Sequence, residues 1–442
     1  MEKAVLILGG FSEITEEYVR CIRKRGLKAI IVDSRKNKLN QLYRYKQCNP
    51  HHFINLVDEI ICMEEYSMES FFLVVNNILE HDQIVGIIPI DERLVVETAI
   101  LAGYLGLSNG GLEAAVISRN KEKQRQLIQN TPWKVRSQKV TLEELMTTIL
   151  PDSGVIKPIN KYGSMDVMIW SDENQKKSVL DLLKVQKSKE QLYLLEERIV
   201  GQEYSIESWV RDGGVLYSSI TKKQTLKSEG IEFPVEIGHQ VHYRELSEDT
   251  IQQVNEMNHF VITMSKIQSA IVHLEFKIDE SGIPKVMEWC VRNPGDRIMD
   301  LYLYAGEVNP YDLLLSIVLN EPGKEYVSSH SSKKVIQKYY VLEEDTILKG
   351  KMSHHDLPVH WPSNPDSQGL VRNREGVLID KGLDLTVYEL GILVPPNQKA
   401  LPVKDSLTRH LYIVYSINSS SSQDMEMSEK ILNETIINQL YE

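Results

Sequence analysis

The side chains best placed to do chemistry in this 442-residue chain lie between Lys121 and Asp296. Glu275 sits in the run His273, Leu274, Glu275, Phe276, Lys277, and Glu288 follows between Met287 and Trp289. The apolar–polar alternation predicts two strands, Ile271 to Ile278 and Pro284 to Trp289, folded together at Gly282. That hairpin brings both carboxylates onto one face. Side by side in an apolar sheet they repel, and a divalent cation removes the conflict. Paired oxygen ligands suit Mg2+, which also accepts phosphate oxygens and waters. The competing reading is two exposed strand carboxylates with salt-bridge partners. Arg292 and Asp296 follow in the turn-rich run Arg292, Asn293, Pro294, Gly295, Asp296. A fixed cation beside a metal-bound phosphate suits phosphoryl transfer.

Three further patterns precede this pair. Lys157 ends the short apolar strand Val155 to Pro158, where a lysine is costly to bury unless an anion meets it. Lys121, opening the polar helical stretch Asn120 to Gln129, offers a second cation. Lys161, Tyr162, Gly163 and Ser164 form a glycine loop of the kind that folds over phosphates, although an ordinary turn has the same composition. The run Glu196 to Ser205 ends a strand in two carboxylates, turns at Gly201 and re-enters a strand. Such a strand end can present backbone groups to an adenine edge, with Glu203 placed to accept from ribose hydroxyls.

The elements that must hold these residues differ along the chain. Ala4 to Leu8, Ala29 to Val32, Glu59 to Cys62 and Ile84 to Pro89 read as buried strands alternating with helices, the first helix running from about Glu13 to Arg25. This pattern predicts a doubly wound parallel sheet over residues 1–115. Gly9 and Gly10 read as a tight strand-to-helix turn, with a phosphate contact as the alternative. From Ser118 the rhythm becomes α+β: strands at Leu192 to Leu195, Tyr204 to Val210 and Val215 to Ile220, then a helix from Ile251 to Ile267. We divide this part into a lid subdomain, 116–192, and a core with the metal site, 193–325. Residues 326–442 read as a small β-rich domain, finished by a helix from about Ser428 to Leu440 after a serine-rich surface loop, Asn418 to Gln423.

Bulk properties narrow the function. The formal net charge of -12 and 7% aromatic content disfavour a nucleic-acid binder. The N-terminus lacks the apolar core of a secretion signal. No apolar run approaches the roughly 20 residues that span a bilayer, so we expect a cytoplasmic protein without membrane contact. The four cysteines, Cys21, Cys48, Cys62 and Cys290, fit no metal or disulfide pattern and read as buried reduced thiols.

Taken in order, strand Lys157, glycine loop, the Glu196–Glu207 run and the Glu275/Glu288 strands resemble the ATP-grasp superfamily. The resemblance covers roughly Lys3 to Leu319. Within it the chain is similar to the L-amino acid ligases that make dipeptides, which carry a glycine–histidine motif before the metal strands, here Phe233 to His239. The resemblance implies ATP and Mg2+ as cofactors. It places Lys121, Lys157 and the loop residues Gly163 and Ser164 on the phosphates, and Glu196, Glu197 and Ile199 around adenine. Glu203 falls to the ribose, Lys223 near the nucleotide, and Glu275 and Glu288 to the metal. Arg292 and His239 fall to the transferred phosphoryl group or substrate carboxylate. Two departures stand out: Cys290 occupies a position where many relatives have Asn, and His242 one where the ligases tend to have Pro. The activity implied is ADP-forming carboxylate–amine ligation through an acyl phosphate, with small-molecule carboxylate and amine substrates, amino acids above all, and a homodimer as the common assembly of such relatives. Acyl transfer to a carrier-protein thiol or peptide, a carboxylating enzyme, and a nucleotide-binding module without catalysis are the alternatives.

Overall fold

The computed structural model describes residues 1–161, 163, 165–185, 191–226, 235–322, 333–341, 346–347, 356–396, 398–400, 403, 408–419 and 421–440. At the N-terminus four parallel strands lie in the order Glu59–Cys62, Lys28–Asp33, Glu2–Leu8, Asp82–Pro89. The continuous apolar runs are explained by burial on both faces. Val5, Ile7, Ala29 and Ile31 pack with Tyr18, Val19 and Ile22 of the helix Thr15–Lys24. Ala4, Leu6, Ile30 and Val32 pack with Phe71, Val75 and Ile78 of the helix Met68–Leu79 on the other side. Gly9 is the tight turn expected: at φ +75° a side chain there would meet the Cβ of Asp91 at 2.7 Å.

A second, antiparallel sheet has the order Ser137–Thr141, Leu192–Glu196, Gly154–Pro158, Met168–Trp170. Val140, Leu145, Ile156, Trp170, Leu183 and Tyr193 form its own small core. The sequence reading gives no element for residues 137–147, yet a helix Leu142–Thr147 starts there with a capping box between Thr141 and Glu144.

The largest sheet has ten strands. Its order is Pro284–Cys290, Ala270–Ile278, Gln202–Arg211, Gly214–Thr225, Glu236–Gln240, Lys334–Tyr339, Leu411–Ile417, Leu385–Ile392, Val359–His360, with Val377–Asp380 also paired to Leu385–Ile392. Strands from the middle of the chain and from its C-terminal part therefore join edge to edge, through Glu236–Gln240 and Lys334–Tyr339.

Two helices are displaced from expectation. The middle one is Glu248–Met264, because Ser247 caps its start and the chain turns at Lys266, φ +54°. The C-terminal one is Ser422–Thr435, followed by a short 3-10 turn, Ile437–Gln439. The end of the serine run thus begins the helix instead of extending a loop, in keeping with the preference of serine for helix starts. The cysteines form no disulfide; Cys21 and Cys290 are buried, Cys62 is half-buried, and Cys48, against expectation, is exposed at the end of the helix Lys36–Cys48. No helix among the described residues is long and apolar enough to cross a membrane.

Candidate active site

A cavity of about 300 Å³ lies between the antiparallel four-stranded sheet and one face of the ten-stranded sheet. Its wall carries eight Lys/Arg and eight Asp/Glu side chains. The site is thus balanced in charge although the chain as a whole is strongly acidic.

Strand periodicity puts its acidic side on one face. Glu275 and Glu288 are register partners on adjacent antiparallel strands, as the hairpin reading requires. His273 lies two residues before Glu275, so it points the same way, and its register partner on the next strand is Glu207. The Lys223 ammonium is shared: 2.5 Å from Glu275 Oε1, 2.9 Å from Glu236 Oε1 and 3.9 Å from Glu203. Burial disfavours its charge, but Glu236 and Glu275 outweigh burial and hold the lysine well above its usual pKa. The same contacts hold the carboxyls of Glu275 and Glu236 below the usual range despite burial. Glu288 accepts from Lys121 at 2.7 Å.

A second group in the same cavity is arranged in the reverse sense. Glu196, buried at the end of its strand, accepts from Arg125 Nε at 2.6 Å and from Lys157 Nζ at 2.7 Å. Two cations share one carboxylate. Burial raises the Glu196 pKa, but the two cations bring it down to about 2. Lys157 is the under-compensated partner: burial, then the neighbouring Arg125, lowers its pKa to about 8. Lys121 also donates to the Lys161 carbonyl at 2.6 Å, tying the glycine loop to the helix Lys121–Ile128. Gly201 is required by a close approach: a Cβ there would lie 2.0 Å from the Ile278 carbonyl oxygen.

At the far end, Arg292 is paired with Glu92, its Nε 3.0 Å from Oε2. Arg409 makes a two-pronged contact with Asp296, 2.8 and 2.7 Å, and lies over the Tyr339 ring. Asp296 and Arg297 both adopt left-handed backbone, φ +49° and +63°, a costly conformation outside glycine. Burial and the nearby Glu92 keep the Cys290 thiol well above its ordinary pKa. One ligand atom each of Glu92, Glu288 and Cys290 lie within 4.8 Å of one another, as do those of Glu236, His239 and Asp296.

Of the residues singled out in the sequence, Lys121, Lys157, Gly163, Glu196, Glu197, Ile199, Glu203, Lys223, Glu275, Glu288 and Arg292 all line this cavity. The Glu196 carboxylate is taken by Arg125 and Lys157, and that of Glu197 by Arg136, 2.7 Å from its backbone nitrogen. His239 is not in the wall. It is buried behind Glu236, with Nε2 2.7 Å from that carboxylate. His242 is turned away from the cavity, with Nδ1 2.9 Å from Ser219 Oγ. Ser164, and Phe233 and Pro234 of the glycine–histidine motif, lie outside the described residues.

Sequence reasoning missed Glu92, Arg125, Glu236, His273 and Arg409. Two had a local signal: Glu236 precedes His239 by three within the motif, and His273 precedes Glu275 by two on a strand. Glu92 and Arg409 come from distant parts of the chain, and no local pattern marks them.

Residues 151–298 match the family model described as an ATP-grasp domain, so the chain carries that domain. Among curated proteins none matches in sequence. Solved structures match over almost the whole chain. An L-amino acid ligase from Bacillus licheniformis is 17% identical, with 99% of this chain and 98% of that one covered and a TM-score of 0.72. A phosphoribosylglycinamide synthetase from Anaerococcus prevotii is 15% identical, 98% of each chain covered, TM-score 0.65. The biotin carboxylase domain of a Hydrogenobacter thermophilus 2-oxoglutarate carboxylase, solved with MgADP and bicarbonate, is 12% identical, with 100% and 91% covered and a TM-score of 0.61. At these identities the likeness is one of fold.

Proposed function

We propose that this chain is an ATP- and Mg2+-dependent ligase that joins a carboxylate to an amine, releasing ADP and phosphate. The observation that carries the proposal is the opposed charge imbalance across one cavity. Arg125, Glu196 and Lys157 hold two cations against one carboxylate, a group short of an anion. Lys223 is one ammonium shared by three carboxylates, Glu275, Glu236 and Glu203, a group short of a positive charge. A nucleotide phosphate fits the first and a divalent cation the second.

In this proposal Lys157, Lys121 and the glycine loop with Gly163 and Ser164 hold the phosphates. Ile199 and the backbone of Glu196 and Glu197 face adenine, and Glu203 the ribose. Glu275 and Glu288 would hold Mg2+, which when bound supplies charge to offset the phosphate oxygens. Lys223, already shared among three carboxylates, positions Glu275. The substrate carboxylate attacks the γ-phosphorus; the acyl–oxygen–phosphorus bond forms as the β–γ bridge breaks and ADP leaves. Arg292 steadies the charge on the transferred group. The amine nitrogen then attacks the acyl carbon, loses a proton and displaces phosphate. Positioning and fixed charge do the work, and no nucleophilic side chain is required.

Amino acids are the substrates we favour. Carboxylates and guanidinium groups alternate at the far end of the cavity, Glu92 with Arg292 and Asp296 with Arg409, which suits a zwitterion. Lysines and carboxylates directed into one cavity favour catalysis over a nucleotide-binding module. The test is phosphate release from ATP and Mg2+ over pairs of amino acids. Release that needs two amino acids supports the proposal; release independent of any carboxylate contradicts it.

A further inference from the structure

Glu207 is a fully buried carboxylate outside the cavity, and the proposed chemistry does not use it. Its environment is unusually specific. Oε1 lies 2.7 Å from His273 Nδ1, and Oε2 accepts from Thr221 at 2.6 Å and from Tyr302 at 2.8 Å. The other ring nitrogen of His273, Nε2, lies 3.0 Å from Glu275 Oε1. Glu207, His273 and Glu275 therefore form a continuous line from the core of the sheet to the cavity. Strand geometry enforces it, since Glu207 and His273 are register partners and Glu275 follows His273 by two.

The line meets Glu275 on one oxygen only. Lys223 and His273 both contact Oε1, and Oε2 takes no hydrogen bond from the described residues. The carboxylate is thereby fixed at one oxygen and leaves the other for a ligand. Glu288, its partner across the hairpin, accepts from Lys121, on a different element. Carboxylates that ligate metals are generally oriented by hydrogen bonds from behind, and losing such a bond typically weakens the metal by about 10- to 100-fold.

We propose that His273, fixed by Glu207, is a positioning residue that orients Glu275 toward a divalent cation. The inference rests on the assignment of Glu275 to the cation in the proposed function. Glu207 anchors the imidazole, and the imidazole sets which carboxylate oxygen of Glu275 faces the cavity. Glu207 lies outside the cavity, and His273 reaches its wall beside Glu275.

The experiment is a titration of Mn2+ into the full-length chain with ADP no more than equimolar to the chain, read by the loss of the electron paramagnetic resonance signal of the hydrated ion beyond that of a protein-free Mn2+ and ADP control. The parent should bind Mn2+, and Glu275→Gln should largely abolish binding. His273→Ala should weaken it about 10- to 100-fold, while ADP binding in the presence of a chelator stays unchanged. His273→Gln, whose amide can still donate to Glu275, should recover most of the affinity. Glu207→Gln keeps the shape of the buried side chain and should weaken Mn2+ in the same direction; it serves if His273→Ala does not fold. A parent that binds no Mn2+, or a tight Glu275→Gln variant, overturns the metal assignment itself. Tight Mn2+ binding by His273→Ala or Glu207→Gln, with Glu275→Gln impaired, overturns only the positioning role. So does equal loss of Mn2+ and metal-free ADP binding, which marks a merely structural contribution.

Discussion

Glu275 stands opposite Glu288 across an antiparallel strand pair, and each is met by a lysine from another element, Lys223 and Lys121. The two lysines hold together a pair of carboxylates that would otherwise repel. They also keep both side chains directed at one place.

From this pairing we expect Glu275 and Glu288 to behave as one unit. Replacing either by Gln keeps its size and removes its charge. Each single change should lower turnover by about two orders of magnitude or more, and the double change should add little, as for groups that act together. Steady-state kinetics of the three variants decides; independent, multiplicative losses would contradict a shared role.

Lys157→Ala should reduce kcat/KM for ATP by about 2–4 kcal/mol of transition-state stabilisation. The parent should also show a falling limb in kcat/KM as pH rises through about 8, where burial and Arg125 place the proton loss of Lys157. The sign follows from charge: below that pH the ammonium can pair with phosphate, and above it the neutral amine cannot. Lys157→Arg should remove the limb, since a guanidinium does not titrate there.

The antiparallel sheet around Gly154–Pro158 and Leu192–Glu196 should act as a lid. It has its own small core, separate from the clusters beneath it. Hydrogen exchange in these strands and the loop after Pro158 should slow when ATP and Mg2+ are added. Unchanged exchange would argue against closure.

Arg409→Gln should raise KM for the acyl substrate more than it changes KM for ATP. Arg409 pairs with Asp296, a residue of left-handed backbone in the cavity wall, and we assign this pair to the acyl substrate. Separate saturation curves for the two substrates provide the check, and equal effects on both would contradict this placement.

The strand and hairpin order was readable wherever burial is one-sided or complete, because it leaves a period of two or an unbroken apolar run. Glu275 and Glu288 were found this way, as was Lys157, which is conspicuous as a lysine at the end of an apolar strand. What escaped reading is what distant segments supply. Glu92 reaches Arg292 from the 3-10 turn after the strand Asp82–Pro89, and Arg409 reaches Asp296 from the C-terminal part. Nothing in the neighbouring residues of either reveals the contact. The line Glu207, His273, Glu275 was half legible: the i, i+2 spacing was present, but its meaning required the register with Gln202–Arg211. The C-terminal helix shows a local ambiguity, since serine favours both loops and helix starts.

The central claim is cleavage of ATP between the β and γ phosphates, with transfer to a carboxylate. Chromatography of the spent nucleotide, after turnover with a productive pair of amino acids and Mg2+, tests it most directly. The account predicts ADP and phosphate in equal amounts. AMP and pyrophosphate would contradict it, because they would mean adenylation of the carboxylate and a different arrangement of the phosphates in the cavity.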